Sequence, residues 1–270
     1  MLRLLLLCLL LAARPALADL MINPTRIVLD KNQRSAQIDL INNGNETATY
    51  RVSVVNRRMS ETGDFSVAEQ AQPGELFADQ MISYSPRQIV LAPGASQLVR
   101  VLVRKPENLA AGEYRSHLVF ERIADPAAPA PAEGATVTSN EVGIKLTALV
   151  GVSIPVIVRQ GETSASVSLG QLALAARSEG QPQLVTFDIS RSGNRSVYGD
   201  IVLSFTPEGG SEMVLAKAAG VAVYVPNALR RAKLALAPGT SLSKGRLTVR
   251  FHARPEEGGK ALAETSVTLP

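Results

Sequence analysis

Apolar and polar residues alternate along most of the chain with a period of two. Ala36, Ile38 and Leu40, for example, are separated by Gln37 and Asp39. Because successive side chains of a strand point to opposite faces, this alternation predicts strands with one buried face. The same pattern returns in the segments 50–54, 98–104, 118–120, 184–189, 201–205, 221–225 and 247–251. Turn residues recur at intervals of about 8–12 positions, which is typical of a β-sandwich and predicts an all-β protein.

Two segments, 169–177 and 228–236, are rich in alanine and leucine. Intrinsic propensity favours helix for both of them. Strand-like segments lie on either side of each, so we predict strands here and keep helix as the alternative.

The segment 137–158 carries the longest alternation in the chain. Its apolar positions are Val142, Ile144, Leu146, Ala148, Val150, Val152 and Ile154. At about 3.3 Å per residue, positions 142–154 span roughly 40 Å, about twice the length of a typical strand. Because a long apolar strand at a sheet edge promotes aggregation, we predict that this strand has a partner or is covered. The preceding alanine- and proline-rich segment, 124–134, is predicted to be a mobile, extended loop.

The length of 270 residues allows two domains. We predict that Pro155 ends the long strand and that the polar segment 160–163 links the domains. This places an N-terminal domain over residues 19–157 and a C-terminal domain over residues 158–270.

The first eighteen residues have the pattern of a signal peptide. Arg3 precedes an apolar run over residues 4–13, and residues 16–18 supply an A-x-A cleavage site. The run is shorter than the about 20 residues that a transmembrane helix needs. We therefore predict secretion, with cleavage near Ala18 and a soluble mature protein that begins near Asp19.

Composition narrows the classes of function. Removing residues 1–18 takes Arg3 and Arg14 from the 28 basic residues, which leaves 26 against 24 acidic residues. This near balance gives no indication of a nucleic-acid partner, which requires clustered lysine and arginine. The one cysteine, Cys8, lies in the predicted signal peptide, so the domains are expected to be stable without disulfides.

Residues suited to catalysis are scarce. The chain has two histidines, His117 and His252, which form no metal-binding pair in sequence. It also lacks GxSxG, Walker and GxGxxG motifs. Both histidines lie in predicted strands, where a structural role is the simpler interpretation. We expect no enzymatic activity, no bound metal and no cofactor.

Arg26 interrupts the first apolar segment of the mature chain, residues 22–29. It is either an outward-facing strand residue or an anion site. In the second case, a guanidinium in a cleft would bind a carboxylate through two parallel hydrogen bonds. The residues alone leave both interpretations open.

Several stretches together carry a family resemblance. They are residues 24–29, residues 89–94 followed by 99–101, residues 112–118 and the long alternating strand, with a looser match at residues 223–227. In order and spacing, these stretches resemble the periplasmic pilus-assembly chaperones of the PapD-like type. The resemblance extends over essentially the whole mature chain.

The resemblance implies two immunoglobulin-like β-sandwiches in a boomerang arrangement, with a cleft between them, and a location in the periplasm. Such chaperones bind pilus or fimbrial subunits whose own sandwich lacks its last strand. The chaperone lends its seventh strand to the gap, which is donor strand complementation. The subunit then passes to an outer-membrane usher for assembly of the surface fibre. Fimbrium biogenesis and cell wall organization would be the wider process.

The resemblance also assigns site residues. Val142, Ile144 and Leu146 fall on the donor positions, and Ala148 continues their face. Arg26 falls on the arginine that anchors the terminal carboxylate of the subunit. The usual cleft lysine falls on Gly151, so this chain departs from the family there. The free protein is expected to hide its apolar strand, and self-association would do so.

The alternative is a secreted two-domain adhesive or carbohydrate-binding module. Sugar-binding surfaces usually need exposed aromatic residues, and the chain has no tryptophan, six phenylalanines and five tyrosines. A secreted hydrolase is disfavoured because the sequence offers no set of nucleophile, base and acid.

Overall fold

The computed structural model describes residues 20–123, 151–176 and 181–270. The predicted signal peptide, the segment 124–134 and the donor residues Val142, Ile144, Leu146 and Ala148 lie outside the described residues. Strands dominate the described part, together with two short 3-10 turns, Asp79–Met81 and Pro255–Glu257. No helix in these three ranges is long and apolar enough to cross a membrane. The prediction of an all-β protein is confirmed.

The first half forms a sandwich of two sheets. Its strands are β1 (Leu20–Asn23), β2 (Ile27–Leu29), β3 (Ser35–Asn42), β4 (Ala48–Val55), β5 (Arg57–Met59), β6 (Phe65–Val67), β7 (Ile82–Ser85), β8 (Gln88–Leu91), β9 (Ser96–Val103), β10 (Gly112–Ile123) and β11 (Gly151–Gln160). One sheet has the order β1-β3-β9-β7 and the other β2-β11-β10-β4-β8. Strands β5 and β6 form a separate hairpin. This strand order is that of an immunoglobulin-like domain.

The predicted alternation determines which side chains fill the first core. Ile38 and Leu40 on β3 are fully buried, whereas their neighbours Gln37 and Asp39 are exposed. Ile38 lies opposite Val99 on β9, which is also fully buried. The period of two therefore places the apolar residues of both sheets in one shared interior.

The second half forms another sandwich. Its strands are β12 (Ala165–Leu174), β13 (Leu184–Gly193), β14 (Val197–Pro207), β15 (Met213–Val223), β16 (Leu229–Ala235), β17 (Gly245–Ala253) and β18 (Ala261–Leu269). The two sheets have the orders β12-β13-β16 and β15-β14-β17-β18. Both alanine- and leucine-rich segments are strands, as predicted: β12 covers most of residues 169–177, and β16 most of residues 228–236.

The prediction that Pro155 ends the long strand is wrong. Pro155 lies in the middle of β11, opposite His117 on β10. On its other edge, β11 pairs with β2 only from Val156 onward. Proline lacks the N–H that a ladder bond requires, and it is tolerated here because no strand among the described residues pairs with that edge of β11 at this position.

Strand β11 contributes to both hydrophobic cores. Val156 and Val158 pack in the core of the first sandwich, whereas Ile157 points the other way and joins the core of the second. Val28 on β2 and Met59 on β5 pack in this second core as well. The two sandwiches are therefore in direct apolar contact. The domain limits at 157 and 158 stay a prediction.

Candidate functional site

Arg26 lies just before β2, in contact with the second sandwich. Its Nη1 donates a hydrogen bond to the Tyr224 hydroxyl at 3.0 Å, and its Nη2 donates to Ser196 Oγ at 3.4 Å. Tyr224 follows β15, and Ser196 precedes β14. Arg26 is thus half-buried between the sandwiches, and it is not the outward-facing strand residue of the simpler interpretation.

Two aromatic rings hold the Arg26 guanidinium in place. Its Cζ lies 4.4 Å from the centroid of the Tyr198 ring and 5.4 Å from that of Tyr224. Guanidinium groups are attracted to aromatic faces at these distances. A fixed guanidinium loses less rotational freedom when it binds a ligand, so this packing prepares Arg26 for binding.

A cavity of about 310 Å³ opens beside Arg26. Ser164, Arg195 and Tyr198 line it together with Arg26, and Glu257 lies on its wall. A guanidinium has five N–H donors, and Arg26 uses two of them on Tyr224 and Ser196. Within the described residues the other donors have no hydrogen-bond partner, so they can bind a carboxylate or another small anion, with a second cationic side chain from Arg195 nearby.

Ser196 is held by a buried ion pair. Glu113 on β10 accepts a hydrogen bond from Arg159 Nε at 3.0 Å through one oxygen. Its other oxygen accepts the backbone N–H of Ser196 at 3.2 Å. The Glu113 side chain is 1% exposed, so removing one partner would leave a buried charge uncompensated. This network fixes the second sandwich against the first at the mouth of the cavity.

A second arginine lies beneath the site. Arg115 is 7% exposed, and its Cζ lies 4.1 Å from the centroid of Tyr224. Its Nη2 donates to the Arg57 carbonyl at 3.0 Å, whereas its Nε and Nη1 have no hydrogen-bond partner within the described ranges. Burial lowers the pKa of Arg115, yet a guanidinium stays charged at neutral pH. Tyr224 therefore contacts two cations.

His117 is a structural residue, as predicted. It is 3% exposed, and its ring packs against Phe65 in a T-shaped arrangement with the centroids 5.3 Å apart. Burial, followed by the charges of Arg115 and Arg57, lowers the pKa of His117 to about 3. His117 is therefore neutral at physiological pH, and it carries no charge into the site.

Gly151 does not lie beside Arg26. Strands β11 and β2 begin to pair at Val156 and Ile27. One residue earlier in this parallel register, Pro155 of β11 corresponds to Arg26. Gly151 lies opposite Glu121, four residues earlier on β11 and about 13 Å away along the strand. That Gly151 stands where the resemblance expects a lysine stays a prediction.

The described end of the long strand packs on its own sandwich. Ile154 is 2% exposed, and Val152 packs against the same core. The last two positions of the predicted apolar face are thus covered by β10 and its neighbours. The donor residues Val142, Ile144, Leu146 and Ala148 lie before this point, outside the described part.

Sequence reasoning identified Arg26 but missed Ser196, Tyr198 and Tyr224. These residues lie about 170 to 200 positions from Arg26, and no local pattern links them to it. A usable signal was the stretch 112–118, in which Glu113 and Arg115 occupy a strand otherwise rich in buried residues. Charged residues in a buried strand indicate specific partners.

Comparisons with solved structures find several pilus-assembly chaperones. The CupB2 chaperone of Pseudomonas aeruginosa is 9% identical, with a TM-score of 0.45, over 93% of this chain and 100% of that one. The structure of SafA pilin in complex with the SafB chaperone, from Salmonella enterica, gives 13% identity and a TM-score of 0.44 over 95% of this chain and 99% of that one. The class 5 fimbriae chaperone CfaA is 15% identical, with a TM-score of 0.44, over 93% of this chain and 100% of that one.

No protein-family model matches the chain, and no curated protein matches it. The structural likenesses extend along nearly the whole chain, but identity and TM-score are both low. They therefore assign no function to this protein.

Proposed function

We propose that this protein is a periplasmic chaperone for pilus or fimbrial subunits. The observation that carries the proposal is Arg26, a pre-positioned guanidinium between two immunoglobulin-like sandwiches, with free donors toward a cavity. A carboxylate is the ligand that such a fork of donors fits best. The terminal carboxylate of a client subunit would bind there, in a place where both sandwiches contribute contacts.

Strand donation would supply the rest of the affinity. The alternating segment 142–148 precedes β11 directly and offers apolar side chains at every second position. A subunit that lacks its last strand exposes an open core and an unpaired sheet edge. Main-chain hydrogen bonds would pair the edge, and Val142, Ile144 and Leu146 would fill the core. Burial of each such side chain is worth roughly 1.5–3 kcal/mol before ordering costs.

In this proposal the complex is delivered to an outer-membrane usher, where the next subunit replaces the lent strand. The predicted signal peptide supports export to the periplasm. Self-association of the free chaperone would cover the apolar strand until a client arrives. The protein would act without a cofactor and without catalytic turnover.

The alternative, a carbohydrate-binding module, finds little support in the cleft. A sugar platform requires aromatic faces open to the ligand. Tyr224 is 5% exposed and its ring is in contact with Arg26 and Arg115, and Tyr198 is in contact with Arg26 and Arg254. Both rings beside Arg26 are therefore already in contact with arginine side chains.

The anchor is tested by combining Arg26→Ala with a change in the client. We expect Arg26→Ala to weaken binding of a co-expressed subunit by about 2 kcal/mol, roughly 30-fold, because the carboxylate loses a charge-assisted partner. Arg100→Ala is the matched control, since Arg100 lies exposed on β9. Affinity is measured by calorimetry on the purified proteins.

A subunit with an amidated C-terminus separates the anchor from other effects. If Arg26 binds the carboxylate, amidation should weaken binding to the wild type and change binding to Arg26→Ala very little. Equal losses for both chaperones would contradict the assignment of Arg26 as the anchor.

A further inference from the structure

The second sandwich contains a groove that the proposed chaperone role does not use. Its volume is about 550 Å³, and it lies where β16 and β15, the edge strands of the two sheets, face each other. The apolar residues that line it come from both sheets: Phe187, Ile201, Ala218, Val221, Ala232 and Leu234. It shares no lining residue with the cavity beside Arg26.

One end of this groove is closed by the first sandwich. Arg230 on β16 reaches across the gap and donates from Nη1 to the Ala222 carbonyl on β15 at 2.6 Å. Thr62, in the turn between β5 and β6, also lines the groove. At this end, the backbone N–H of Arg231 donates to the Glu61 carbonyl at 2.7 Å. The outer edge of β16 is therefore bonded at this end to one backbone carbonyl of the β5–β6 turn.

The remainder of that edge is open. The backbone groups of Ala228 and Leu236, at the two ends of β16, hydrogen-bond toward β13. Even-numbered residues of β16 therefore direct their N–H and C=O groups toward β13. Odd-numbered residues direct their N–H and C=O groups outward, as Arg231 does. Within the described ranges, no backbone partner meets Lys233 or Ala235 on this outer side. An unpaired edge beside an apolar groove is a template for an added strand.

The rim of the groove is basic. Arg231 and Lys233 line it from the outer face of β16. Glu61 neutralises Arg231 through an ion pair at 2.5 Å, and Asp188, the acidic lining residue, lies opposite Arg231 on β13. Among the residues that the structure describes, no carboxylate lies within ion-pair distance of Lys233. Acidic side chains on the outer face of an added strand would lie directly beside Lys233.

We propose that this groove binds an extended peptide in which apolar and acidic residues alternate. The peptide pairs with the outer edge of β16 at Lys233 and Ala235. Its apolar side chains enter the groove between the sheets, and its acidic side chains lie beside Lys233. The proposal uses no residue of the cavity beside Arg26, so it stands independently of the Arg26 anchor.

The test uses a fluorescein-labelled peptide of about six residues that alternates isoleucine with glutamate. Its anisotropy with the mature wild-type protein should show saturable binding that weakens with added salt. Lys233→Glu should weaken binding at least about fivefold, because an attractive cross-strand pair becomes a repulsive one. Lys260→Glu is the control, since Lys260 is exposed in the β17–β18 turn and does not line the groove.

Two further measurements separate strand pairing from simple charge attraction. Amide hydrogen exchange at Lys233 and Ala235 should slow when the peptide binds. A peptide of equal composition with its isoleucines grouped together should bind more weakly. Ala232→Phe fills the groove and should reduce peptide binding as well. If Ala232→Phe does not fold, the affinity of Lys233→Glu for the peptide is the deciding measurement.

Equal affinity for both peptides, or unchanged affinity in Lys233→Glu, would overturn the proposal. Dodecanoate is the remaining probe. If dodecanoate binds saturably and the alternating peptide does not, the groove is a site for a small amphiphile, and the peptide proposal is wrong.

Discussion

Tyr224 is the residue on which the candidate site depends most. Its hydroxyl accepts the Arg26 hydrogen bond, and its ring contacts both Arg26 and Arg115. Two cations at one ring repel each other, and the aromatic face offsets part of that repulsion. The position of Arg26 is therefore set by a residue of the second sandwich, almost 200 positions away in sequence.

Tyr224→Phe separates the two roles of this side chain. The ring stays, so Arg115 keeps its packing, while Arg26 loses one hydrogen bond. We expect the free energy of unfolding to fall by about 1 kcal/mol and subunit binding to weaken less than in Arg26→Ala. Urea unfolding and calorimetry with a subunit measure the two effects. If Tyr224→Phe weakens subunit binding as much as Arg26→Ala, the hydroxyl has a direct role that we do not assign.

His117 gives the protein a predictable sensitivity to acid. Its pKa is lowered to about 3 in the folded state, against about 6.5 in an unfolded chain. Between these values the unfolded state binds one more proton, so stability is fully present above about pH 6.5 and is lost as the pH falls toward 3. Each pH unit in this window costs up to about 1.4 kcal/mol.

The expected result is a pH slope in urea unfolding between pH 6 and 4 that His117→Gln reduces by up to about 1.4 kcal/mol per unit. Glutamine does not titrate, so the variant loses this slope whatever its stability at pH 7. An unchanged slope in His117→Gln would show that His117 is not held neutral by burial.

At the scale of elements, the β5–β6 hairpin joins the two sandwiches. Met59 accepts a hydrogen bond from Asn227 Nδ2 at 2.8 Å, and Glu61 binds Arg231 through both backbone and side chain. Phe65 contacts His117 on one side and Tyr224 on the other. The hairpin thus connects the first sandwich to β16, which borders the groove, and to Tyr224, which contacts Arg26.

Gly63→Ala should loosen this hairpin. Gly63 has a φ of +91°, and a Cβ there would lie 2.7 Å from Arg230 Cζ. Backbone strain of about 1–2 kcal/mol and displacement of the Arg230 side chain should both lower stability. We expect a lower melting temperature and faster amide exchange at Arg231.

Gly94→Ala is the matched control for that variant. Gly94 also has a positive φ, +71°, but an added Cβ would meet nothing within 4 Å. It should show the backbone strain alone, and normal exchange at Arg231. If both variants behave alike, contact between the hairpin tip and Arg230 contributes nothing to stability.

Local pattern predicted the strands well and the site only in part. The alternation of Ile38 and Leu40 with polar residues is a local property, and it determined which face is buried. The convergence of Arg26, Ser196 and Tyr224 is a property of how two sandwiches contact each other, which no period in the sequence encodes. The prediction at Pro155 is wrong because proline usually ends a strand, and only the late start of β2 shows why β11 continues.

At the scale of the whole molecule, the proposed function combines an anchor and a donated strand. Arg26 and its cavity lie where the first sandwich contacts the second. The predicted donor segment leads into β11, which pairs with β2 directly after Arg26. A client held by its carboxylate at Arg26 would therefore lie next to the strand that completes it. This link between anchor and strand is the central claim.

The most direct test is co-purification of fibre subunits from the periplasm with the wild type and with Ile144→Asp. A carboxylate at a donor position would be buried without a partner in the client core, at a cost of several kcal/mol. Thr147→Asp is the control, because it puts the same charge on the opposite face of the predicted strand. We predict that the wild type and Thr147→Asp bring down a subunit and that Ile144→Asp does not. Equal recovery with Ile144→Asp would contradict strand donation.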